Sequence, residues 1–222
     1  MRDLIQWFLT AFRKTISGPH SPLWSTSDKF FVRMMKLALR MRSLDLVGTI
    51  QTTWAGRMHT GGLSPVWAIL FADMYGLRDL LGHACYAYLM GVHAKLKRGE
   101  NFNERGMLQP RQVFYIRAGY HSLRTYWDQN ARHPPDFEQS PDCTLHEQCV
   151  RVWKLRWAAF LDRPWLFPDV DVLNRLGVML ERLKADMVLD FCLSSPCKTS
   201  ALSALAKKRD LVSRQLHHHF DI

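Results

Sequence analysis

The chain has 222 residues, of which 47% are hydrophobic and 23% charged, and it carries a formal net charge of +10. This composition supports a substantial apolar core and excludes a globally disordered chain. The longest stretches without a charged residue, 58–72 and 80–94, are shorter than the ~18 apolar residues that a membrane helix needs, so we predict no membrane span.

The N-terminus does not have the pattern of a secretory signal. An apolar run at residues 4–10 is followed by Arg13 and Lys14, and no small-residue cleavage site follows it. We therefore expect an intracellular protein of the cytoplasm or nucleus. The 5 cysteines are an odd number, which in such a protein favours free thiols or metal ligands over structural disulfides.

Apolar residues recur every three or four positions along almost the whole chain, and no alternating strand pattern lies between turn signals. The predicted fold is all-α, an irregular array of about nine helices. In chain order, the first helix covers residues 4–16, the second begins after residues 25–27, and the third covers 45–54 with Ser43 as candidate N-cap. Residues 64–75 and 77–98 then form a helical hairpin that turns at Gly76.

A proline-rich segment divides the rest of the chain. A sixth helix covers 109–127, and residues 133–141 follow as an extended loop because consecutive prolines exclude helix. We therefore predict two helical regions, 1–132 and 133–222. The second region contains predicted helices at 143–161, 170–191 and 200–216.

The excess positive charge lies before this division. Residues 1–134 contain 18 Lys and Arg against 8 Asp and Glu, whereas the rest of the chain has 12 of each. Lys29, Arg33, Lys36 and Arg40 recur at helical spacing, and we predict that they lie opposite an apolar face formed by Phe30, Met34, Leu37, Ala38 and Met41. This basic stripe is either a solvated surface or a site for an acidic protein, nucleic acid or membrane phosphates.

One cluster has the residue types of a metal site. Cys143, His146 and Cys149 follow one another at intervals of three, which at a helix start lets them point to a common side. Cys192 and Cys197 can complete a set of four Cys and His ligands, which predicts a closed structural Zn²⁺ site. The alternative is a group of buried free thiols with a hydrogen-bonded histidine. A metalloprotease motif is excluded, because Val150 occupies the position of its second histidine.

No other pattern indicates catalysis, and we expect a protein that is not an enzyme. There is no glycine-rich phosphate loop after a strand and no nucleophile elbow. Asp169 and Asp171 are predicted to favour the positive end of the next helix, and Cys85 to be a core thiol. We interpret the aromatic residues Trp153, Trp157, Phe160 and Trp165 as packing, and we assign no function to His217, His218 and His219.

Several blocks resemble the helical region that follows the BTB fold in BTB-domain proteins of mushroom-forming fungi. They are residues 30–54, residues 63–89 with the hairpin AILFADMYGLRDLL, residues 107–127 with Gly119, Ser122, Leu123 and Trp127, residues 134–157 with the order Pro-Pro, Phe, Cys, His, Cys and two Trp, and residues 192–222 ending in Phe-Asp-Ile. Two departures concern the last block. Four residues separate its cysteines where the family has two, and Ser213 and His217 stand where the family has Trp and Pro.

The resemblance implies a protein-protein interaction or scaffold module, with a relation to ubiquitin-ligase adaptors. Residues 4–16 look like the closing helix of a BTB fold whose strand-rich part is missing, so we expect a truncated or divergent member that is a monomer. Its partners are expected to be proteins. The alternative is a helical nucleic-acid-binding protein that uses the basic N-terminal half.

Overall fold

The computed structural model describes residues 27–99, 107–131, 133–161 and 165–222, and its regular secondary structure in these ranges is helical throughout. This confirms the all-α prediction. The predicted helix at residues 4–16 lies outside the described residues. Ten helices occur within them: α1 Asp28–Arg40, α2 Leu44–His59, α3 Pro65–Tyr75, α4 Arg78–Lys97, α5 Pro110–Ala131, α6 His146–Leu161, α7 Val172–Lys184, α8 Met187–Cys192, α9 Ser195–Arg214 and α10 Leu216–His219.

The region predicted as one helix over 170–191 is two helices. Asp186 interrupts it with an extended backbone (φ −80°, ψ 109°), and its carboxylate accepts a hydrogen bond from the Leu189 amide at the start of α8. An aspartate favours this capping role over a helix interior. The predicted break at Pro196 is also corrected, because this proline lies in the first turn of α9, where its missing N–H is tolerated.

The chain forms two compact units, which divide between Phe114 and Tyr115 within α5. The sequence-based division after residue 132 lies near the other end of this helix and stays a prediction. Each unit has its own buried side chains, and they are described separately below.

The first unit is built around the α3–α4 hairpin. Gly76 ends α3 in the left-handed conformation (φ 66°, ψ 29°), which glycine adopts without strain, and α4 starts at Arg78. Against this hairpin, Trp54 of α2 is fully buried and contacts the rings of Phe31 and Phe71 at centroid distances of 5.5 and 5.9 Å. Aromatic contacts of this kind add to the aliphatic packing of the unit.

Helix α1 is amphipathic, but its buried face differs from the predicted one. The fully buried residues are Phe31, Met35 and Ala38, whereas Leu37 is 41% exposed. The predicted face through Phe30, Met34, Leu37, Ala38 and Met41 is therefore confirmed at Ala38 and wrong by one position at Phe30 and Met34, because the ring of Phe31 stacks on Trp54. The opposite, basic face remains exposed.

In the second unit, the C-terminal segment packs against α5. Phe220 is fully buried against α5, where a Cβ atom added to Gly119 would lie 2.1 Å from the Phe220 ring. Beside it, the Ser122 hydroxyl lies 2.9 Å from His219 Nδ1. The glycine is thus required by the close approach of the ring, since any larger residue would displace it.

A buried arginine organises the start of α7. Arg175 forms an ion pair with Asp169 at 2.6 Å, donates to the Phe167 carbonyl, and lies over the rings of Trp127 and Trp165 at 4.8 and 5.1 Å. Asp171 caps α7 through Asn174. Trp153, Trp157 and Phe160 are buried, which confirms their interpretation as packing.

In the part of the chain that the structure describes, no helix has the length and apolar character required to cross a bilayer.

Candidate metal centre

Three buried cysteines meet where two helices of the second unit begin. Cys143 lies in the turn before α6, Cys149 in the first turn of α6, and Cys197 in the first turn of α9. Their side chains are buried, with residue exposures of 5%, 3% and 0%, and their sulfur atoms all lie within 4.8 Å of one another. The fold therefore brings together thiols that are far apart in sequence, and this group can hold a metal ion.

The distances suit tetrahedral coordination. Cys143 Sγ and Cys149 Sγ are 3.8 Å apart, which excludes a disulfide, and all five cysteines are free. A Zn²⁺ tetrahedron with Zn–S bonds of about 2.3 Å has S–S edges of about 3.8 Å. The spacing of this pair thus matches one edge of such a site without a large rearrangement.

His146 is the fourth candidate ligand and approaches from the side of Cys197. Its Nδ1 atom lies 3.7 Å from Cys197 Sγ, close to the S–N edge of about 3.6 Å expected for a zinc tetrahedron. The imidazole is half-buried and packs edge-to-face on Phe137 at 5.1 Å. His146 is not one of the three residues whose ligand atoms all lie within 4.8 Å of one another, and it adjoins the group at Cys197 as the candidate fourth ligand.

The loop before α6 is held in place by side-chain hydrogen bonds. The Trp153 indole donates to the Pro135 carbonyl at 3.1 Å, and the Gln139 amide donates to the Cys143 carbonyl at 2.8 Å. These contacts fix the proline-rich segment against α6 and set the position of Cys143. The first ligand is therefore positioned by the fold.

The surroundings of Cys143 favour its thiolate. The Ser194 hydroxyl lowers the pKa of the Cys143 thiol, and this effect, with those of the Leu145 amide and neighbouring thiols, outweighs the opposing effect of burial. That hydroxyl is buried and has no hydrogen-bond partner among the described residues, so it is available to donate to a Cys143 thiolate. By contrast, burial raises the pKa of Cys149, although the Ser194 amide opposes the shift.

Two helix N-termini also favour the thiolate form of these cysteines. Cys149 lies near the start of the 16-residue α6 and Cys197 near the start of the 20-residue α9. The unpaired amides of a helix start carry partial positive charge and stabilise anions such as thiolates. A divalent cation would deprotonate the remaining thiols, because metal binding and thiol ionisation are coupled.

Cys192 is not part of this group, contrary to its place among the candidate ligands. It is the exposed last residue of α8, a helix whose buried residue is Leu189, and the chain turns at Leu193 and Ser194 before Cys197 is reached. Cys85 belongs to the first unit and is not a member of the group. It is fully buried there, as predicted for a core thiol, and burial raises its pKa.

Sequence reasoning missed Ser194, whose hydroxyl and amide both lie near the sulfur atoms. The available signal was the Ser194-Ser195-Pro196 run, which is typical of a helix start next to Cys197. A hydrogen-bond donor to a ligand commonly orients it, so this serine belongs in the site.

The predicted basic stripe is exposed along one face of α1, and none of its members forms an ion pair with a described carboxylate. It consists of Lys29, Arg33, Lys36 and Arg40. Exposed positive charge of this kind is free to meet a partner, but it does not specify one.

A comparison of the chain with protein-family models, curated proteins and solved structures found no match. Its function is therefore inferred from its residues and their geometry.

Proposed function

We propose that the chain is a non-enzymatic protein-protein interaction module, a helical scaffold stapled by one structural Zn²⁺ ion. The observation that carries this proposal is the group of three buried thiols, Cys143, Cys149 and Cys197, with His146 beside it. Thiolate and imidazole ligands in a tetrahedral arrangement select zinc over magnesium or calcium.

The proposed ion stabilises a unit whose parts are joined by irregular segments. It ties the turn before α6 to the start of α9, across the whole of α6, α7 and α8. Since such a site does not exist in the unfolded chain, the binding free energy of the ion contributes directly to folding. The role of the metal is to hold surfaces of the second unit in a fixed arrangement.

The same burial argues against metal catalysis. A catalytic zinc keeps a coordination position open to water and substrate, whereas a structural zinc is closed by four protein ligands. Cys149 and Cys197 are 3% and 0% exposed, and the remaining position adjoins His146. A fully ligated ion there has no position left for a substrate.

The resemblance to the post-BTB helices supports interaction with proteins and suggests adaptor work related to ubiquitin ligation. Two of the blocks that carry this resemblance also contact each other, because the Phe220 ring of the last block packs against Gly119 of the block at residues 107–127. We extend the proposal to an intracellular monomer in the cytoplasm or nucleus. A stable dimer in light scattering would contradict the monomer.

Cobalt substitution tests the ligand set. Protein reconstituted with Co²⁺ is expected to show intense visible bands of tetrahedral cobalt and a near-ultraviolet thiolate charge-transfer band. The variant Cys197→Ser should weaken the charge-transfer band, and His146→Ala should shift the visible bands. Cys192→Ser is the matched control and should leave the spectrum unchanged; a spectrum that depends on Cys192 instead would contradict the assignment.

Partner capture tests the scaffold role. The chain and its Cys197→Ser and Cys192→Ser variants are expressed in their native cells and purified with their bound proteins. Stoichiometric protein partners that are retained by Cys192→Ser and lost by Cys197→Ser are the expected result. Turnover of a substrate by the purified chain, or capture that is indifferent to both changes, would contradict the proposal.

A second candidate function is nucleic-acid binding through α1. It is favoured by the exposure of Lys29, Arg33, Lys36 and Arg40 on one helix face. Binding of this type falls steeply as salt rises, because counterions are released from the phosphates. A gel shift with duplex DNA and RNA at low and high salt tests it, with all four residues changed to Gln as the matched variant. Absence of binding at low salt removes this candidate.

A further inference from the structure

A groove in the second unit lies between α6, the end of α7 and α8. It has a volume of about 580 Å³, and its lining includes Phe160, Arg156, Arg182, Met187 and Val188. This volume is within the range of about 300–1,000 Å³ typical of ligand sites, but the groove is open along its length. An open groove with both apolar and charged side chains in its lining suits a bound protein segment better than an enclosed small molecule.

The helix that borders the groove exposes three large apolar side chains. Met187, Val188 and Phe191 have exposures of 69%, 42% and 82% and follow one another at helical spacing on one face. Single exposed apolar residues are ordinary, whereas contiguous ones mark interaction sites. Exposed aromatic and methionine side chains of this type are common anchors in protein interfaces.

The short helix is nevertheless firmly attached. Asp186 caps it at the Leu189 amide, and the same carboxylate accepts two hydrogen bonds from Arg156 at 3.0 and 2.5 Å. Leu189 is fully buried beneath it. The exposed face is thus presented on a fixed element, which lowers the entropic cost of binding.

The charges of the groove indicate the partner. Arg156 is neutralised by Asp186, whereas Arg182 forms no ion pair with any carboxylate in the described ranges. The groove therefore has an excess positive charge beside apolar surface. An acidic partner is attracted by this charge, and a second copy of the chain, with a formal net charge of +10, is a less favourable occupant.

We propose that this groove binds an acidic amphipathic helix of a partner protein. Apolar side chains of the partner lie against Phe160, Met187, Val188 and Phe191, and a carboxylate pairs with Arg182. This inference rests on the proposed interaction function and names the surface and the chemistry of its partner.

A defined pair of peptides provides the probe. One is a labelled 16-residue helix with leucines at positions i, i+3, i+4 and i+7 and glutamates on its flanks. The other has lysine in place of every glutamate. Fluorescence anisotropy with the full chain is expected to show binding of the glutamate peptide, weakened by added salt, and at least about tenfold weaker binding of the lysine peptide.

The variants locate the site without disturbing the core, because the altered side chains are exposed or line the open groove. Arg182→Glu and the double variant Met187→Ser, Phe191→Ser are each expected to weaken binding of the glutamate peptide about tenfold or more. Leu44→Ser, which changes an 85% exposed leucine of the first unit, and Arg33→Glu on α1 are the matched controls and should bind normally.

Three results would overturn the inference: no binding of the glutamate peptide, binding that is unaffected by the groove variants, or binding lost in Arg33→Glu. A dimer in light scattering that the Met187→Ser, Phe191→Ser variant dissociates would assign the groove to a second copy instead. Zinc content and thermal unfolding are measured on the same samples, so that failure of the groove proposal can be distinguished from failure of the zinc proposal. A folded chain with bound zinc but without peptide binding refutes the groove and leaves the stapled scaffold standing.

Discussion

The two compact units of the molecule are stabilised in different ways. The first unit is held by apolar packing, and its four helices α1 to α4 begin without a side-chain capping hydrogen bond. The second unit buries the charged side chains of Asp171, Arg175 and Asp186 and a group of three thiols, and two of its helices begin at aspartates that cap them. Apolar packing therefore dominates the described part of the first unit, whereas the second depends on specific polar contacts and, in our proposal, on a metal ion.

The cysteines illustrate the same contrast. Cys85 of the first unit is fully buried, and burial, with a smaller effect of the Asp73 charge, raises its pKa, so the neutral thiol acts as a small hydrophobic residue. Cys143 of the second unit has a lowered pKa because the Ser194 hydroxyl favours its thiolate. Similar burial thus accompanies a neutral thiol in one unit and a candidate metal ligand in the other.

The largest expected effect is that of metal removal, which should destabilise the second unit and leave the stability of the first unit nearly unchanged. Chelation, or Cys197→Ser, is expected to lower the melting temperature of the second unit by about 10 °C or more, because the binding energy of structural zinc is folding energy. Hydrogen exchange should show loss of protection in α6 and α9 and little change in α3 and α4. Cys192→Ser should behave as wild type. Equal loss of protection in both units would contradict the comparison.

The next largest effect concerns the close approach of Phe220 to Gly119. Phe220→Ala should destabilise the second unit by about 3–5 kcal/mol, since it empties a fully buried site. Gly119→Ala should cost about 1–3 kcal/mol, because its Cβ atom would lie 2.1 Å from the ring. Both values come from denaturant unfolding.

A double variant makes this test specific. In a Phe220→Ala background the clash is absent, so the added cost of Gly119→Ala should vanish. Gly91→Ala in α4 is the matched control: no atom lies within 4 Å of its added Cβ, and alanine favours the helix by up to about 1 kcal/mol. Additive costs of Gly119→Ala and Phe220→Ala would show that the contact is not the cause.

The helix caps provide a smaller test of the difference between the units. Asp186→Ala is expected to cost about 1–3 kcal/mol, since it removes the cap of α8 and leaves Arg156 without its partner. Ser64→Ala, at the start of α3, should change the free energy of unfolding by less than about 0.5 kcal/mol, because Ser64 makes no capping hydrogen bond. Urea unfolding measures the free energy of unfolding of both variants. Equal losses in the two variants would show that the units do not differ in the contribution of helix caps.

The smallest expected effect is a pH dependence confined to the second unit. Burial, and next the nearby His218, lower the pKa of His219 below its usual value of about 6.5. Unfolding therefore takes up a proton between the folded pKa and pH 6.5, so stability is complete above about pH 6.5 and decreases as the pH falls toward the folded pKa. Thermal unfolding at pH 7.0 and 5.5 should show this decrease, and His219→Gln should reduce it. An undiminished slope in His219→Gln would assign the effect to other groups.

The all-α class, the α3–α4 hairpin and the pairing of Cys143 with Cys149 could be predicted, because helical periodicity, Gly76 and the spacing of three between candidate ligands are local signals. The approach of Cys197 was proposed from its residue type alone, since it is far from that pair in sequence. The buried face of α1 could not be predicted. Apolar residues occur there in adjacent pairs such as Phe30 and Phe31, so two neighbouring stripes fit the helical period, and contact with Trp54 selects one of them.

The ligand set was also only partly predictable. Cys192 and Cys197 are equally plausible by spacing, and the choice depends on the break at Asp186, which ends α7 and leaves Cys192 on the outer side of α8. An aspartate at that position is compatible with a continuous helix as well as with a cap. Its pairing with Arg156, a contact between segments distant in sequence, decides the outcome.

The central claim is that one zinc ion is bound by the group around Cys197. Elemental analysis of untagged protein, purified without chelators, measures it directly on wild type, Cys197→Ser and Cys192→Ser. We predict about one zinc per chain in wild type and in Cys192→Ser, and a loss of most of it in Cys197→Ser. Wild-type protein that is folded and free of zinc, or a Cys197→Ser variant that retains it, would contradict the claim.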